Sequence, residues 1–542
     1  MKTPPRPFAI TLDPGSSMHN LTGSWRTMRP VYSHFLPPCN QACPAGEDIQ
    51  QWLYWAEEGK YREAWEEISK NNPFPAIVGR VCYHPCEMGC NRNKLDLSVN
   101  IHAIERFLGD LAIEKKWSFK AGADSGKHVA IIGGGPSGLT AAYHLRRLGH
   151  QVSVYDAGPK AGGMMRFGIP KYRLPREILD AEIERIEKMG VRFEFNRTID
   201  DVDALRKGGA DAVFIAIGAH LNRKTEIPAK DACRILGATE FLREMEGAEP
   251  PKIGRRVAVY GGGNTAMDAA RTAQRLGADE VMVIYRRDRE HMKAHDFEAQ
   301  EALDEGVHIH WLRTIKAITE DSITVEEMKL EGGTLVPTGR EETLSADTLI
   351  MAIGQNVSSE FLKKLPGVEV RSDGTIGVDA QMQTGAPGVF AGGDMVPAER
   401  TVTNAIGHGK KAARYIDAYL QGTPYTHPEK PPLAKFDALN VWYYTDASRS
   451  RQEMLDRVRR KTGFEEIVQG LDEETAKFEA RRCLSCGNCF ECDNCFGVCP
   501  DNAVIKLGTG KGYKFNLDYC KGCGLCVEEC PCGCIDFVPE VK

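Results

Sequence analysis

Twelve of the chain's 18 cysteines fall between Cys483 and Cys534, and their spacing leaves few ways to fold. Cys489, Cys492, Cys495 and Cys499-Pro500 read C-x2-C-x2-C-x3-C-P, and Cys520, Cys523, Cys526 and Cys530-Pro531 repeat the pattern. Paired runs of this kind hold two [4Fe–4S] clusters, the fourth cysteine of each run crossing to the other cluster. One cluster is therefore expected on Cys489, Cys492, Cys495 and Cys530, and the other on Cys520, Cys523, Cys526 and Cys499. Zinc is held by isolated pairs, which this is not. Cys532 and Cys534 read as small residues beside a cluster, and Cys483 and Cys486 are left over. Five more cysteines, Cys39, Cys43, Cys82, Cys86 and Cys90, lie near the N-terminus, and only Cys233 stands between the two groups. A disulfide scaffold belongs to a secreted chain and would be spread more evenly. Clustered thiols point to metal, a reducing compartment and a cytoplasmic location.

A chain of 542 residues has room for three or four domains. The formal net charge of -6 gives no basic surplus for nucleic acid. No apolar run approaches the length of a membrane span. The first residues lack the apolar core and small-residue cleavage site of a leader.

From Lys127 onward, apolar strands alternate with helical segments, an α/β texture with parallel sheets. "HVAIIGGGPSGL" places Gly133, Gly135 and Gly138 as G-x-G-x-x-G between strand and helix. The first glycine permits the turn, the second lets the backbone approach a pyrophosphate, and the third lets helix pack on strand. Asp156 ends the following strand, roughly 20 residues on, where a carboxylate bonds a ribose hydroxyl. "VAVYGGGNTAMD" repeats the unit with Gly261, Gly263 and Ala266, and Asn264 inside the turn. Its second strand ends in Arg286-Arg287, suited to the 2′-phosphate of NADP, with NAD left open. In "VFAGGDMVPAERTVTNA" a strand ends at Gly393-Asp394 and a helix starts near Thr401. Asp394 suits a ribityl hydroxyl, and the helix N-terminus suits the electron-rich end of a flavin. These features call for one FAD and one NADP or NAD.

The stretches "NPFPAIVGRVCYHPCEMGC", "VNIHAIERF", "AGGMMRFGIPKYRLP" and "VIYRRDREHM" resemble the glutamate synthase small (β) subunit and the corresponding part of dihydropyrimidine dehydrogenase. The resemblance covers roughly 38–415. It implies that the segment carrying Gly163, Met164 and Arg173 lies along the flavin. It implies a cluster on Cys43, Cys82, Cys86 and Glu105; if Glu105 does not bind, Cys39 or Cys90 is the substitute. The tail resembles a two-cluster bacterial ferredoxin. The family's "RCLxC" pair, expected shortly before Cys39, is absent there and reappears in "RRCLSCG" at Cys483 and Cys486. In the family that pair joins the residues matching Cys39 and Cys90 around a cluster. The resemblance thus leaves two counts open: three clusters, or four if Cys39, Cys90, Cys483 and Cys486 share one, within a chain or between two.

The expected fold is multidomain α/β. An N-terminal extension (1–37) precedes a helical iron–sulfur domain (38–120). A Rossmann-like FAD domain in two parts (121–253 and 355–425) encloses an inserted NAD(P) domain (254–354). A linker and helix (426–480) lead to a ferredoxin-like α+β domain (481–542). The expected function is an electron-transfer subunit joining NAD(P) to clusters through FAD. The resemblance extends to subunits of 2-oxoacid:acceptor oxidoreductases of the phenylglyoxylate type, so catalytic subunits of such an enzyme, or of another redox complex, are the expected partners. A stand-alone NADPH:ferredoxin oxidoreductase, with free ferredoxin as partner, and a non-enzymatic redox sensor or scaffold are the alternatives. A disulfide reductase would need a cysteine pair beside the flavin, and residues 91–482 hold only Cys233.

Overall fold

The structure, a computed structural model, describes residues 21–223, 227–228 and 234–540. The first 20 residues, which carry the leader reading, and Cys233 lie outside the described residues.

Helices Ile49–Glu57 and Tyr61–Ser69 form a hairpin that turns at Gly59, φ 71°. Asp48 caps the first by accepting from Gln51 N. Their apolar faces bury Trp52, Leu53 and Ile68 against Ile104 and Leu108 of helix Ile101–Glu114. Helix Pro75–Val81 crosses Ile101–Glu114 at unusually close range. A Cβ on Gly79 would lie 2.4 Å from Arg106 N, and one on Gly109 2.2 Å from Ala76 N. Only glycine allows that approach, and it sets Cys82, at the end of one helix, beside Glu105 in the other.

Two parallel sheets follow. The first has strand order Val389–Ala391, Ala212–Ile215, His128–Ile132, Gln151–Tyr155, Arg192–Glu194. The second runs His308–Trp311, Glu280–Tyr285, Arg256–Tyr260, Thr348–Met351, Arg234–Gly237. Their central strands are covered on both faces and so read as near-continuous apolar runs. The chain passes between the sheets through the antiparallel pair Leu221–Asn222 and Gln355–Asn356. Arg234–Gly237 pairs in the second sheet, so that sheet begins well before residue 254.

The stretch 426–480 is more than a linker. Helix Arg457–Thr462 packs on helix Asn264–Arg275, where Arg460 and Arg275 both reach the buried Glu305. A few residues on, Glu466 accepts from Arg80 of the helical domain at 2.7 Å. One segment therefore straps the second sheet's domain to the helical domain.

Residues 22–35 join the C-terminal domain. Strand Met28–Tyr32 pairs antiparallel with Ile535–Pro539, in register from Met28↔Pro539 to Tyr32↔Ile535. Arg26 bonds Glu540 and donates to Cys520 O at 3.0 Å, and Thr22 Oγ1 donates to Cys520 O at 2.8 Å. Tyr32 stacks on Phe515, ring centroids 4.5 Å apart. No helix among the described residues is long and apolar enough to cross a membrane.

Candidate functional site

Between the two parallel sheets lies a cavity of 1380 Å³. Its walls carry the sequence-predicted Gly133, Gly135, Asp156, Gly163, Met164, Arg173, Gly393, Asp394 and Thr401 on one side. Gly261, Gly263, Asn264, Arg286 and Arg287 line the other. Both strand-turn-helix units thus open into one space. Gly138 and Ala266 do not line it. A Cβ on Gly138 would sit 2.0 Å from Gly133 O, which fits its role as the packing glycine, and Ala266 is fully buried. A Cβ on Gly133, φ 107°, would fall 2.3 Å from Ala216 O.

The acidic groups differ in what they already hold. Asp156 accepts from Gly134 N and Gly158 N, each at 2.7 Å, so it shapes the phosphate turn. Asp394 takes no hydrogen bond from the protein among the described residues, and burial pushes its carboxyl up to about 6. An unpartnered carboxylate aimed at the cavity wants hydroxyl donors, which a ribityl chain supplies. Thr401 caps helix Val402–Gln421 by accepting from Asn404 N at 3.1 Å, leaving that helix N-terminus at the cavity wall.

Arg173 lines the cavity, but its guanidinium is committed across it. It grips both oxygens of Asp268 at 2.9 Å and Glu298 at 2.6 Å. Burial opposes its charge, yet the two carboxylates outweigh it and hold the group well above its usual range. Asn264 is similarly employed. Its Nδ2 donates to Tyr83 OH at 2.7 Å and its Oδ1 accepts from His295 N at 3.2 Å. Tyr83 stacks on His295 with centroids 3.7 Å apart. Tyr83 and His295 were not singled out from sequence: neither sits in a spaced motif, and their meeting depends on two domains packing. Lys293, beside Arg286 and Arg287 on the cavity wall, was also missed.

Val81 and Tyr83 line the cavity, and Cys82 stands between them. The Cys82 thiol is held by His84 N at 3.4 Å and by Thr403 of the helix that starts at the cavity. Burial pushes the Cys86 thiol up, with Cys43 and Cys82 among the neighbours that add to the shift. Glu105 is buried beside them, accepting from Asn72 Nδ2 at 2.8 Å. The same amide donates to a second buried carboxylate, Glu47, at 2.9 Å. Glu47 lies next to the Cys43 thiol, a neighbour no spacing rule reveals.

The remaining thiols fall into three groups. Cys39, Cys90, Cys483 and Cys486 line one small cavity. Cys499, Cys520, Cys523 and Cys526 line another. Cys489, Cys492, Cys495 and Cys530 are neighbours, and burial pushes the Cys492 and Cys495 thiols up. Cys532 and Cys534 crowd this last group, with Cys530 Sγ 3.8 Å and 3.6 Å from theirs. The three sulfurs lie near enough to one another to share a metal ion.

Comparison with known proteins agrees with this geometry. Residues 127–409 match the family described as pyridine nucleotide-disulphide oxidoreductase. Residues 32–117 match dihydropyrimidine dehydrogenase domain II, 4Fe-4S cluster, and 513–536 match a 4Fe-4S binding domain. The NADP(+)-dependent formate dehydrogenase subunit beta of Moorella thermoacetica is 36% identical over 499 residues, 83% of this chain and 70% of that protein. The NADPH-Fe(3+) oxidoreductase subunit beta of Geobacter sulfurreducens is 32% identical over 509 residues, 83% of this chain and 75% of that one. The glutamate synthase [NADPH] small chain of Escherichia coli is 34% identical over 421 residues, 71% of this chain and 89% of that one. The resemblance drawn from the motifs therefore holds, and FAD, NAD(P) and [4Fe–4S] clusters are the cofactors. The chain belongs to the pyridine nucleotide-disulphide oxidoreductase family, as an NAD(P)-linked flavin and iron–sulfur oxidoreductase subunit.

Proposed function

We propose that the chain is the NADP-side electron-transfer subunit of a larger oxidoreductase, exchanging electrons between NADP(H) and a catalytic subunit that performs the carbon chemistry. The observation that carries it is Cys82, a thiol of one cysteine group set between two residues that wall the nucleotide cavity. When bound, FAD accepts two electrons as a hydride and releases them singly to clusters.

The residues divide that work. Asp394 and the glycine turn at Gly133 hold the flavin side, and the turn at Gly261 holds the nicotinamide nucleotide. Arg286, Arg287 and Lys293 meet the 2′-phosphate. Arg173, by gripping Asp268 and Glu298, fixes the two nucleotide domains at one spacing, so hydride passes without a general acid or base. Cys43, Cys82 and Cys86, with Glu105 or Glu47 as oxygen donor, hold the cluster nearest the cavity. Cys489, Cys492, Cys495 and Cys530, and Cys499, Cys520, Cys523 and Cys526, hold the two in the C-terminal domain. Cys492 and Cys523 are exposed and mark the exit.

Tyr32 tunes one of these sites. Its phenol lies 3.3 Å from Cys495 Sγ, and burial holds its proton on. An O–H donated to a cluster sulfur raises the reduction potential. Tyr32→Phe should lower the potential of one cluster in an EPR-monitored titration and leave the others in place. An unchanged set of potentials sinks the tuning role.

A 2-oxoacid oxidoreductase is the partner we favour on the motif resemblance. The formate dehydrogenase relative supports a second reading, with a formate-oxidising subunit in that place. Anaerobic purification decides between them: co-eluting 2-oxoacid oxidoreductase subunits support the first, and a formate dehydrogenase subunit the second. A chain that elutes alone and reduces free ferredoxin with NADPH overturns both.

A further inference from the structure

Cys483 and Cys486 lie outside all three matched family regions, 32–117, 127–409 and 513–536. They are nonetheless built into the N-terminal helical domain. With Cys39 and Cys90 they line a single cavity whose other walls are largely apolar, Leu53, Val99 and Ile101 among them. Cys90, Cys483 and Cys486 are the thiols nearest Cys39 in that cavity, so all four sulfurs share one neighbourhood.

Two of the sulfurs have a hydrogen-bond donor aimed at them. Ser485 N lies 3.4 Å from Cys483 Sγ. Buried Asn91 points Nδ2 at Cys486 Sγ from 3.5 Å. Such donors suit thiolates, because each carries charge that burial would otherwise expel.

We infer that Cys39, Cys90, Cys483 and Cys486 of one chain bind a fourth [4Fe–4S] cluster, held jointly by the two ends of the polypeptide. The inference rests on the electron-transfer reading for its purpose but not for its existence. Its position closes a gap. Cys39 lies in the single helical turn Pro38–Ala42 and Cys43 caps its end, with Cys43 N bonded to Cys39 O at 3.1 Å, so this site adjoins the Cys43–Cys82–Cys86 site. Cys486 precedes Cys489 by one short turn, and Gly487 N donates to Cys532 O at 2.7 Å, so it equally adjoins the first C-terminal site. Cys495 lies in the short helix Asn494–Gly497 and Cys499 just past its end, which joins the two C-terminal sites in the same way. The four sites form a single file. NADPH leaves as NADP+ with a proton released, and its two electrons travel that file one at a time, with no bond made or broken along it.

Iron and zinc analysis of the anaerobically purified full chain tests this. About 16 Fe per chain, as four Fe for each of four clusters, is expected. Cys483→Ser/Cys486→Ser should lose about four Fe while keeping one FAD per chain, which shows that the nucleotide domains are folded. In that variant NADPH should no longer develop the EPR signals of the C-terminal clusters, whereas dithionite still does. About 12 Fe in the wild type, with or without one zinc, overturns the inference. So does a double variant that keeps all its iron. If the variant fails to retain FAD, the wild-type iron and zinc count decides alone. Wild type that holds 16 Fe but is not reduced by NADPH leaves the cluster standing and removes the electron-transfer reading instead.

Discussion

Replacing Arg286 and Arg287 together by alanine is expected to raise the KM for NADPH about a hundredfold while changing that for NADH only a few-fold. Each guanidinium-to-phosphate bond is worth about 1.5–3 kcal/mol, and two such losses correspond to a factor of that size or more. Both side chains stand on the cavity wall at the end of strand Glu280–Tyr285, and neither has a carboxylate ion-pair partner among the described residues. The nearest acid, Asp288, is turned to His291 at 2.6 Å. Lys293→Ala should add to the effect, because it brings a third cation to the same wall. Steady-state reduction of a viologen dye with the two coenzymes measures this. Equal losses with both, or a wild type that prefers NADH, would remove the phosphate-clasp role.

Arg482→Ala should cost about 3–5 kcal/mol, the range for breaking a buried, hydrogen-bonded charge pair. The guanidinium is 2% exposed. It donates to Glu479 Oε2 at 2.9 Å, Ser98 O at 3.1 Å, Leu97 O at 2.7 Å, Asp96 at 3.1 Å and Ala447 O at 3.0 Å. Three separate stretches, 96–98, 447 and 479–482, meet on that one fork. Removing it takes the guanidinium from fully buried Glu479, which keeps the Asn100 and Ser450 amides, and from three carbonyls. Lysine should rescue little, since a single ammonium cannot reach a planar set of five acceptors. Anaerobic urea unfolding followed at the helical domain reads the loss. A change below about 1 kcal/mol would show that the fork is dispensable.

What the sequence disclosed was whatever a short span must contain to work. The cysteine runs and the two glycine turns are local devices with fixed spacing, so their ligands and cradles could be named before any fold was known. Asp394 belongs with them, because a strand end followed by a helix start fixes its place. Tyr83, His295 and Glu47 were invisible for the opposite reason: each matters through a neighbour that only tertiary packing supplies. Arg173 was legible as a candidate site residue, and it lines the cavity, but its tie to Asp268 and Glu298 was not. The stretch 426–480 looked like connection because its Pro-rich start is polar. Its hold on Glu305 and Arg80 uses single long side chains that leave no periodic trace. Strand Met28–Tyr32 was silent in the same way, since five residues whose partner lies at Ile535–Pro539 carry no internal pattern.

That terminal strand has a consequence for how the protein comes into being. Arg26 and Glu540, bonded to one another, are 514 positions apart. The nucleotide domains are complete long before the ribosome reaches residue 540, and domains fold as units in the order they emerge. Segment 22–35 must therefore wait, unpaired, until residues 535–540 have been made. Contacts of such sequence separation close slowly. Cofactor delivery is expected to follow the same clock, with flavin taken up during synthesis and iron last. A tag or extension fused after residue 540 would sit against that final seam, so the choice of terminus for affinity purification bears directly on how much iron the recovered protein contains.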